Sequence, residues 1–119
     1  MMLTRDQILG AGPLAIVEVE VPEWGGSVYV SEMDGRQRDA WEQSVLDMTG
    51  DVPKQDLRDF RAKLAVATVT DADRNPVFMS SDIELVTKLS SVALDRVFEV
   101  ARKINKISNT DIEELSGNS

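Results

Sequence analysis

The chain has 119 residues, 42% apolar, 29% charged and 5% aromatic, and a formal net charge of −8. It contains no histidine and no cysteine, which removes Ser-His-Asp and Cys-His triads, imidazole proton shuttles, structural zinc sites, iron–sulfur ligation and thiol redox chemistry. The length fits one domain over residues 1–119 that buries roughly two-thirds of its unfolded surface, and no apolar run nears the roughly 18 residues of a transmembrane helix.

Taken in chain order, Thr4-Arg5-Asp6-Gln7 has the spacing of a capping box ahead of Ile8 and Leu9, which predicts a short helix from Thr4 ending at Gly10 to Pro13. Leu14 to Val21 alternates, with Val17, Val19 and Val21 on one face and Glu18 and Glu20 on the other, as in a half-buried strand. Pro22-Glu23-Trp24-Gly25-Gly26 is a turn, and Ser27 to Met33 alternates again. A hairpin with a loop of about five residues follows from this pattern. Residues 1–33 are thus a short helix plus a hairpin.

Residues 34–116 read as helical. Asp34 with Gln37 caps a helix to Met48 carrying Ala40, Trp41, Val45 and Met48, stopped by Gly50 and Pro53. Lys54 to about Asp71 places Leu57, Phe60, Leu64 and Ala67 on one stripe, with a β-branched tail at Val66 to Val69. After a polar break over Asp71 to Pro76 and an apolar step at Val77-Phe78, Ser81 and Glu84 suggest a capping box for a helix to about Leu89. Ser90 or Ser91 opens the strongest helical pattern, with Leu94, Val97, Phe98, Ala101 and Ile104 on one face and an i,i+4 pair between Glu99 and Lys103. Ser108 and Asp111 cap a final helix over Thr110 to Leu115, and Gly117 to Ser119 fray. The fold class expected is α+β, an N-terminal β-hairpin followed by a mainly α-helical C-terminal half.

Charge is uneven: residues 1–56 hold eleven acids and four bases, 57–106 seven and nine, and the last thirteen three acids and no base. The central bases are interleaved with acids, so no nucleic-acid surface is expected. The pattern reads either as a solvated surface or as head-to-tail self-association, the acidic front of one copy meeting the milder back of the next.

Asp71, Asp73, Asn75 and Asp82 occupy the first, third, fifth and twelfth positions of an EF-hand loop, the basis of an alternative reading as a small regulatory calcium-binding module. Pro76 stands where that loop requires glycine, and position twelve is Asp rather than Glu. The competing account is a helix-terminating polar turn. No carboxylate pair is singled out for glycosidase-type chemistry, and no cofactor is expected. Trp24 is either an exposed partner anchor or a cover folded over one end of the hairpin. Trp41, Phe60, Phe78 and Phe98 read as core.

With these segments laid out, the chain resembles the tail assembly chaperones of long-tailed bacteriophages and prophages. The resemblance rests on Leu3-Thr4-Arg5-Asp6-Gln7-Ile8-Leu9, on Val19-Glu20-Val21-Pro22-Glu23-Trp24-Gly25-Gly26 leading into Val28-Tyr29-Val30, and on Gly35-x-x-x-Asp39-Ala40-Trp41-Glu42. It continues through Arg61-x-x-Leu64, the Asp71-x-Asp73 turn with Phe78 and Asp82, Ala93 to Ala101 running to Asn105, and Ser108-x-x-Asp111-Ile112-Glu113-Glu114-Leu115. The chain departs from the pattern at Arg74, where glycine is expected, with Asn75 taking the left-handed position instead. The resemblance implies a non-enzymatic protein of the host bacterial cytoplasm, absent from the mature virion. It would bind the tape measure protein, keep it soluble and help recruit tail tube subunits, the latter through a longer frameshifted form. Spiral self-assembly is also implied. Candidate contacts are Trp24, Tyr29 and, on the last long helix, Val97, Val100 and Ile104.

Overall fold

A computed structural model describes residues 1–47, 54–55 and 59–107. The α+β class expected from the sequence is what the structure shows. Helix α1 (Arg5–Leu9) leads into strands β1 (Ile16–Val21) and β2 (Gly26–Ser31), then α2 (Gly35–Ser44), β3 (Leu46–Asp47), β4 (Lys54–Gln55), α3 (Phe60–Thr68), β5 (Val69–Thr70), α4 (Ile83–Val86) and α5 (Ser91–Ile104). The sheet order is β1-β2-β5, antiparallel throughout, and β3 pairs separately with β4.

The hairpin register sets Val17 opposite Val30, Val19 opposite Val28 and Val21 opposite Gly26. Because side chains alternate across a strand, this register collects the valines on one face, and Val19, Val21 and Val30 are buried. The connection is a 3-10 turn, Pro22–Trp24, closed by Gly25 at φ 77°, a left-handed conformation that glycine adopts without steric cost. Val69 pairs with Val30 and extends the same apolar face.

Both expected capping boxes at the start of the chain are formed. The Gln7 amide donates to Thr4 Oγ1 at 3.3 Å and the Thr4 amide to Gln7 Oε1 at 2.9 Å; the Gln37 amide donates to Asp34 Oδ1 at 2.7 Å and the Asp34 amide to Gln37 Oε1 at 2.9 Å. Ser90 caps α5 by accepting from the Ala93 amide.

Other boundaries differ from the expectation. Helix α2 stops at Ser44 rather than Met48, because Val45 turns into the core and Leu46–Asp47 pair with Lys54–Gln55. Lys54 therefore lies in a strand, and α3 begins only at Phe60, after Asp59 at φ 60°. The inward side of α3 is Ala62, Leu64, Ala65 and Thr68, with Phe60 and Ala67 half-buried. Such broad burial follows from its central position against α2, α4 and α5, and the β-branched residues after it continue as strand. Ahead of α4, Asp82 rather than Ser81 stands at the N-cap position without a side-chain bond to the helix; its carboxylate accepts instead from the Met79 amide at 2.8 Å, closing the 3-10 turn Ser80–Asp82. Glu99 pairs with Arg102, one turn away at i+3, rather than with Lys103. Met48, Leu57 and the final helix expected over Thr110 to Leu115 lie outside the described residues.

The core joins the valine face of the sheet to α3 and α5 through Leu64, Ala65, Val86, Leu94, Val97 and Ala101. An aromatic chain ties three helices together: Trp41 meets Phe60 edge-on at 5.6 Å, and Phe60 meets Phe98 at 5.7 Å. At the far end of α5, Asn105 is buried and fully used. Its Oδ1 accepts from the Met33 amide at 2.7 Å, and its amide nitrogen donates to the Ser31 and Ala101 carbonyls. Asn105 thereby locks the helix end to the strand leaving the hairpin.

Candidate functional site

The Asp71 to Asp82 segment opens with a turn over Asp71 to Pro76. Asp71 Oδ1 accepts from the Asp73 and Asn75 amides at 2.9 Å each, and Oδ2 accepts from the Asn75 side chain at 3.3 Å. The bond from the Asn75 amide is the largest influence holding the Asp71 carboxyl below its ordinary range. The turn brings Thr70 opposite Pro76, with the Val77 amide donating to the Val69 carbonyl. Arg74, not Asn75, takes the left-handed position, at φ 67°, and its guanidinium reaches the Glu32 carbonyl at 2.7 Å. Asp82 faces Met79 instead of Asp71. Among the described residues no group of three or more His, Cys, Asp or Glu stands where it could hold a metal ion.

Trp24 packs partly buried against the core at the end of the hairpin. The neighbouring Glu23 holds the turn to α5 through a bidentate pair with Arg96, at 2.7 and 3.0 Å. The hydrogen bond from Arg96 lowers the Glu23 carboxyl from its ordinary range, and the same bond raises the arginine. Tyr29 is half-buried on the opposite sheet face from Val28 and Val30, beside Glu18 and Thr70 in the register. Val97 is 0% exposed, and Val100 and Ile104 are half-buried against the core. The amphipathic stripe of α5 is thus spent on the fold. The structure does not bring Trp24, Tyr29 and the α5 residues together as one open surface.

Exposed apolar surface lies elsewhere, on the segment that follows the Asp71 turn. Met79 is 71% exposed, Leu85 64% and Val77 55%, with Leu89 and Val92 nearby in sequence. Val77 and Met79 alternate in sequence with Pro76, Phe78 and Ser80, which line a groove between α2, α3 and the 76–83 segment, a hollow of about 270 Å³ whose lining also includes Ala40, Trp41, Val66, Ala67 and Ile83. Phe78 also lines a second hollow, of about 230 Å³, with Leu85, Val86 and Leu89, so one aromatic residue contributes to both. Lys63 stands at the groove's edge, donating to the Ser44 carbonyl at 2.7 Å.

The sequence signal for this site was the run Val77-Phe78-Met79 followed by Ile83, Leu85, Val86 and Leu89. A helix as short as α4 can bury only one side of so many apolar residues, and Val86 is the one fully taken into the core. Chemically the groove can receive apolar side chains. Glu23 and Asp71, whose carboxyls are held below the ordinary range, and Arg96, held above its own, do not line it. Its one lining carboxylate, Asp82, is engaged by the Met79 amide, so the lining does not hold the pair of acids that glycosidase-type chemistry uses.

The family described as phage tail assembly chaperone matches residues 15–117. The solved structure of the bacteriophage HK97 tail assembly chaperone aligns with a TM-score of 0.57 at 23% identity, covering 87% of this chain and 92% of that one, a likeness of fold. No curated protein matches significantly. The opening Leu3 to Leu9, part of the resemblance seen in the sequence, precedes the matched region, which takes in the hairpin, the groove and α5. On that match the chain belongs to the phage tail assembly chaperone family.

Proposed function

We propose that this chain binds the tape measure protein during tail morphogenesis, keeps it soluble and helps recruit tail tube subunits around it. It works in the host cytoplasm as one domain, leaves before the virion is complete, and is accompanied by a longer frameshifted form that contacts the tube protein. Copies associate along the tape measure while they coat it.

The observation that carries this reading is the pair of apolar hollows that share Phe78, one of them lined by the exposed Leu85 and Leu89, with exposed Val77 and Met79 flanking Phe78 in sequence, on a chain of this family. A long helical protein stripped of its partners exposes apolar stripes, and a groove of this kind receives such a stripe by helix-in-groove packing. The net charge of −8 keeps the coated complex from aggregating. The family is a non-enzymatic kind of protein, and among the described residues no helix is long and apolar enough to cross a membrane.

Co-expression with a helical fragment of the cognate tape measure protein tests this. The expected result is a soluble complex that co-elutes, and a fragment that precipitates when the paired variant Met79→Glu, Leu85→Glu replaces the unmodified chain. Equal solubility with and without the chain, or co-elution untouched by the paired variant, counts against the groove as the binding surface.

A further inference from the structure

The N-terminal segment is the most conspicuous piece of the fold without a partner. Helix α1 has a complete capping box, closed at its far end by the Gly10 amide on the Asp6 carbonyl, yet none of its residues is buried. Ile8 is 56% exposed and Leu9 68%, and Met1, Met2 and Leu3 are open to solvent as well. Five helical residues are far fewer than an isolated helix needs to hold itself together in water, about 12 to 15. Caps and apolar residues therefore mark a helix prepared for a surface that its own chain, among the described residues, does not supply. The segment also precedes the family-matched region, which starts at residue 15.

Its base is firmly held. The Ala15 amide donates to Glu32 Oε1 at 3.0 Å, and the Glu32 amide donates to the Ala15 carbonyl at 2.8 Å. Ala11-Gly12-Pro13 then forms a short connector between the arm and the sheet. The same molecule carries an apolar groove that is equally uncovered. Arm and groove are complementary in chemistry: the arm offers aliphatic side chains, and its Arg5 and Asp6 neutralise each other at 2.9 Å, so it brings no net side-chain charge to an apolar surface. A five-residue helix offers a small contact beside the roughly 1,200 Å² of a stable interface, which makes the contact reversible.

We propose that the arm Met1–Leu9 of one copy docks in the groove of a second copy, covering Phe78, Met79 and Leu85 until a client helix displaces it. The contact is heterologous, since each copy presents an arm on one side and a groove on another. It rests on the groove being the client surface, and adds that client and neighbouring copy compete for it.

The chain has no cysteine, so introduced pairs report cleanly. Full-length Leu9→Cys and Met79→Cys variants, mixed and oxidised at micromolar concentration, are expected to give a 9–79 cross-linked dimer in large excess over 9–9 and 79–79 dimers. Leu9→Asp and Leu85→Asp, both at exposed positions and so expected to keep the native fold, each weaken association at least tenfold in sedimentation equilibrium. Mixed together they recover a one-to-one dimer, because one supplies the groove and the other the arm. The proposal is overturned by equal yields of all three cross-links, by variants that associate like the unmodified chain, by a mixture that stays monomeric, or by a Leu9→Cys, Met79→Cys double variant that closes only within one chain at every concentration. If Leu85→Asp abolishes tape measure binding while association is unchanged, the client reading stands and the arm proposal falls. If the 9–79 dimer forms but the fragment never binds, the arm contact stands and the client reading falls.

Discussion

Arg74 shows how a single residue can be held in a conformation its type disfavours. At φ 67° an arginine bears about 1 kcal/mol or more of steric cost that a glycine escapes, and the side chain offsets it through the bond to the Glu32 carbonyl. Arg74→Ala keeps the backbone cost and loses the bond, so it is expected to lower stability by about 1 kcal/mol. Arg74→Gly relieves the backbone and should remain closer to the unmodified chain; urea midpoints for the pair check the order. A second effect at this scale concerns protons. Glu23 and Asp71 are held below the ordinary carboxylate range, by Arg96 and by the Asn75 amide respectively. A group depressed in the folded state adds stability above its unfolded value that disappears as pH falls through the folded one. The melting temperature is therefore expected to drop below about pH 4. It should drop less steeply in Asp71→Asn, which has no titrating group there; an unchanged acid limb in that variant contradicts the assignment.

Among the elements, the helices divide by how many sides they bury. Helix α5 has one apolar face, and the sequence pattern located both its cap and its stripe. Helix α3 is packed against α2, α4 and α5, so its buried face, Ala62, Leu64, Ala65 and Thr68, is wide, and the stripe expected from periodicity coincides with it only at Leu64. Helix α4 keeps Val86 inside and leaves Leu85 out. Leu64→Ala, at a fully buried position, should cost about 3 kcal/mol, whereas Leu85→Ala should stay within about 0.5 kcal/mol while reducing tape measure binding. Thermal melts beside a binding assay separate the two. Two-residue strands such as β5 are invisible to pattern reading, because their pairing depends on β2 lying alongside. The β-branched tail Val66 to Val69 hinted that the helix would stop, though not where its chain would go.

For the whole molecule, charge and apolar surface suggest different ways for copies to meet. An association driven by the acidic front and the milder back would fade as salt shortens the reach of charge, from about 8 Å at physiological ionic strength to about 3 Å at 1 M. The arm and groove are apolar, so association is expected to persist, or strengthen, at 1 M sodium chloride. Sedimentation across a salt series decides between them, and loss of the dimer at high salt favours the charge account. The candidate surface itself was only half legible in the sequence. Trp24 and Val97 attract attention as large apolar residues at well-formed elements, and for that reason the fold uses them. Val77, Met79 and Leu85 lie in a short, irregular stretch that offered no periodicity to read.

The sequence alone determined what depends on near neighbours: the capping boxes at Thr4 and Asp34, the valine alternation of the hairpin, the turn at Gly25, and the exclusion of histidine and cysteine chemistry. It also carried enough residue pattern for the family resemblance that the match over residues 15–117 bears out. The tertiary structure alone decided which apolar residues are spent on the core and which remain at the surface. That choice turns on how α2, α3 and the segment after the Asp71 turn lie against one another, because burial is a property of facing surfaces and a chain segment cannot specify what will face it.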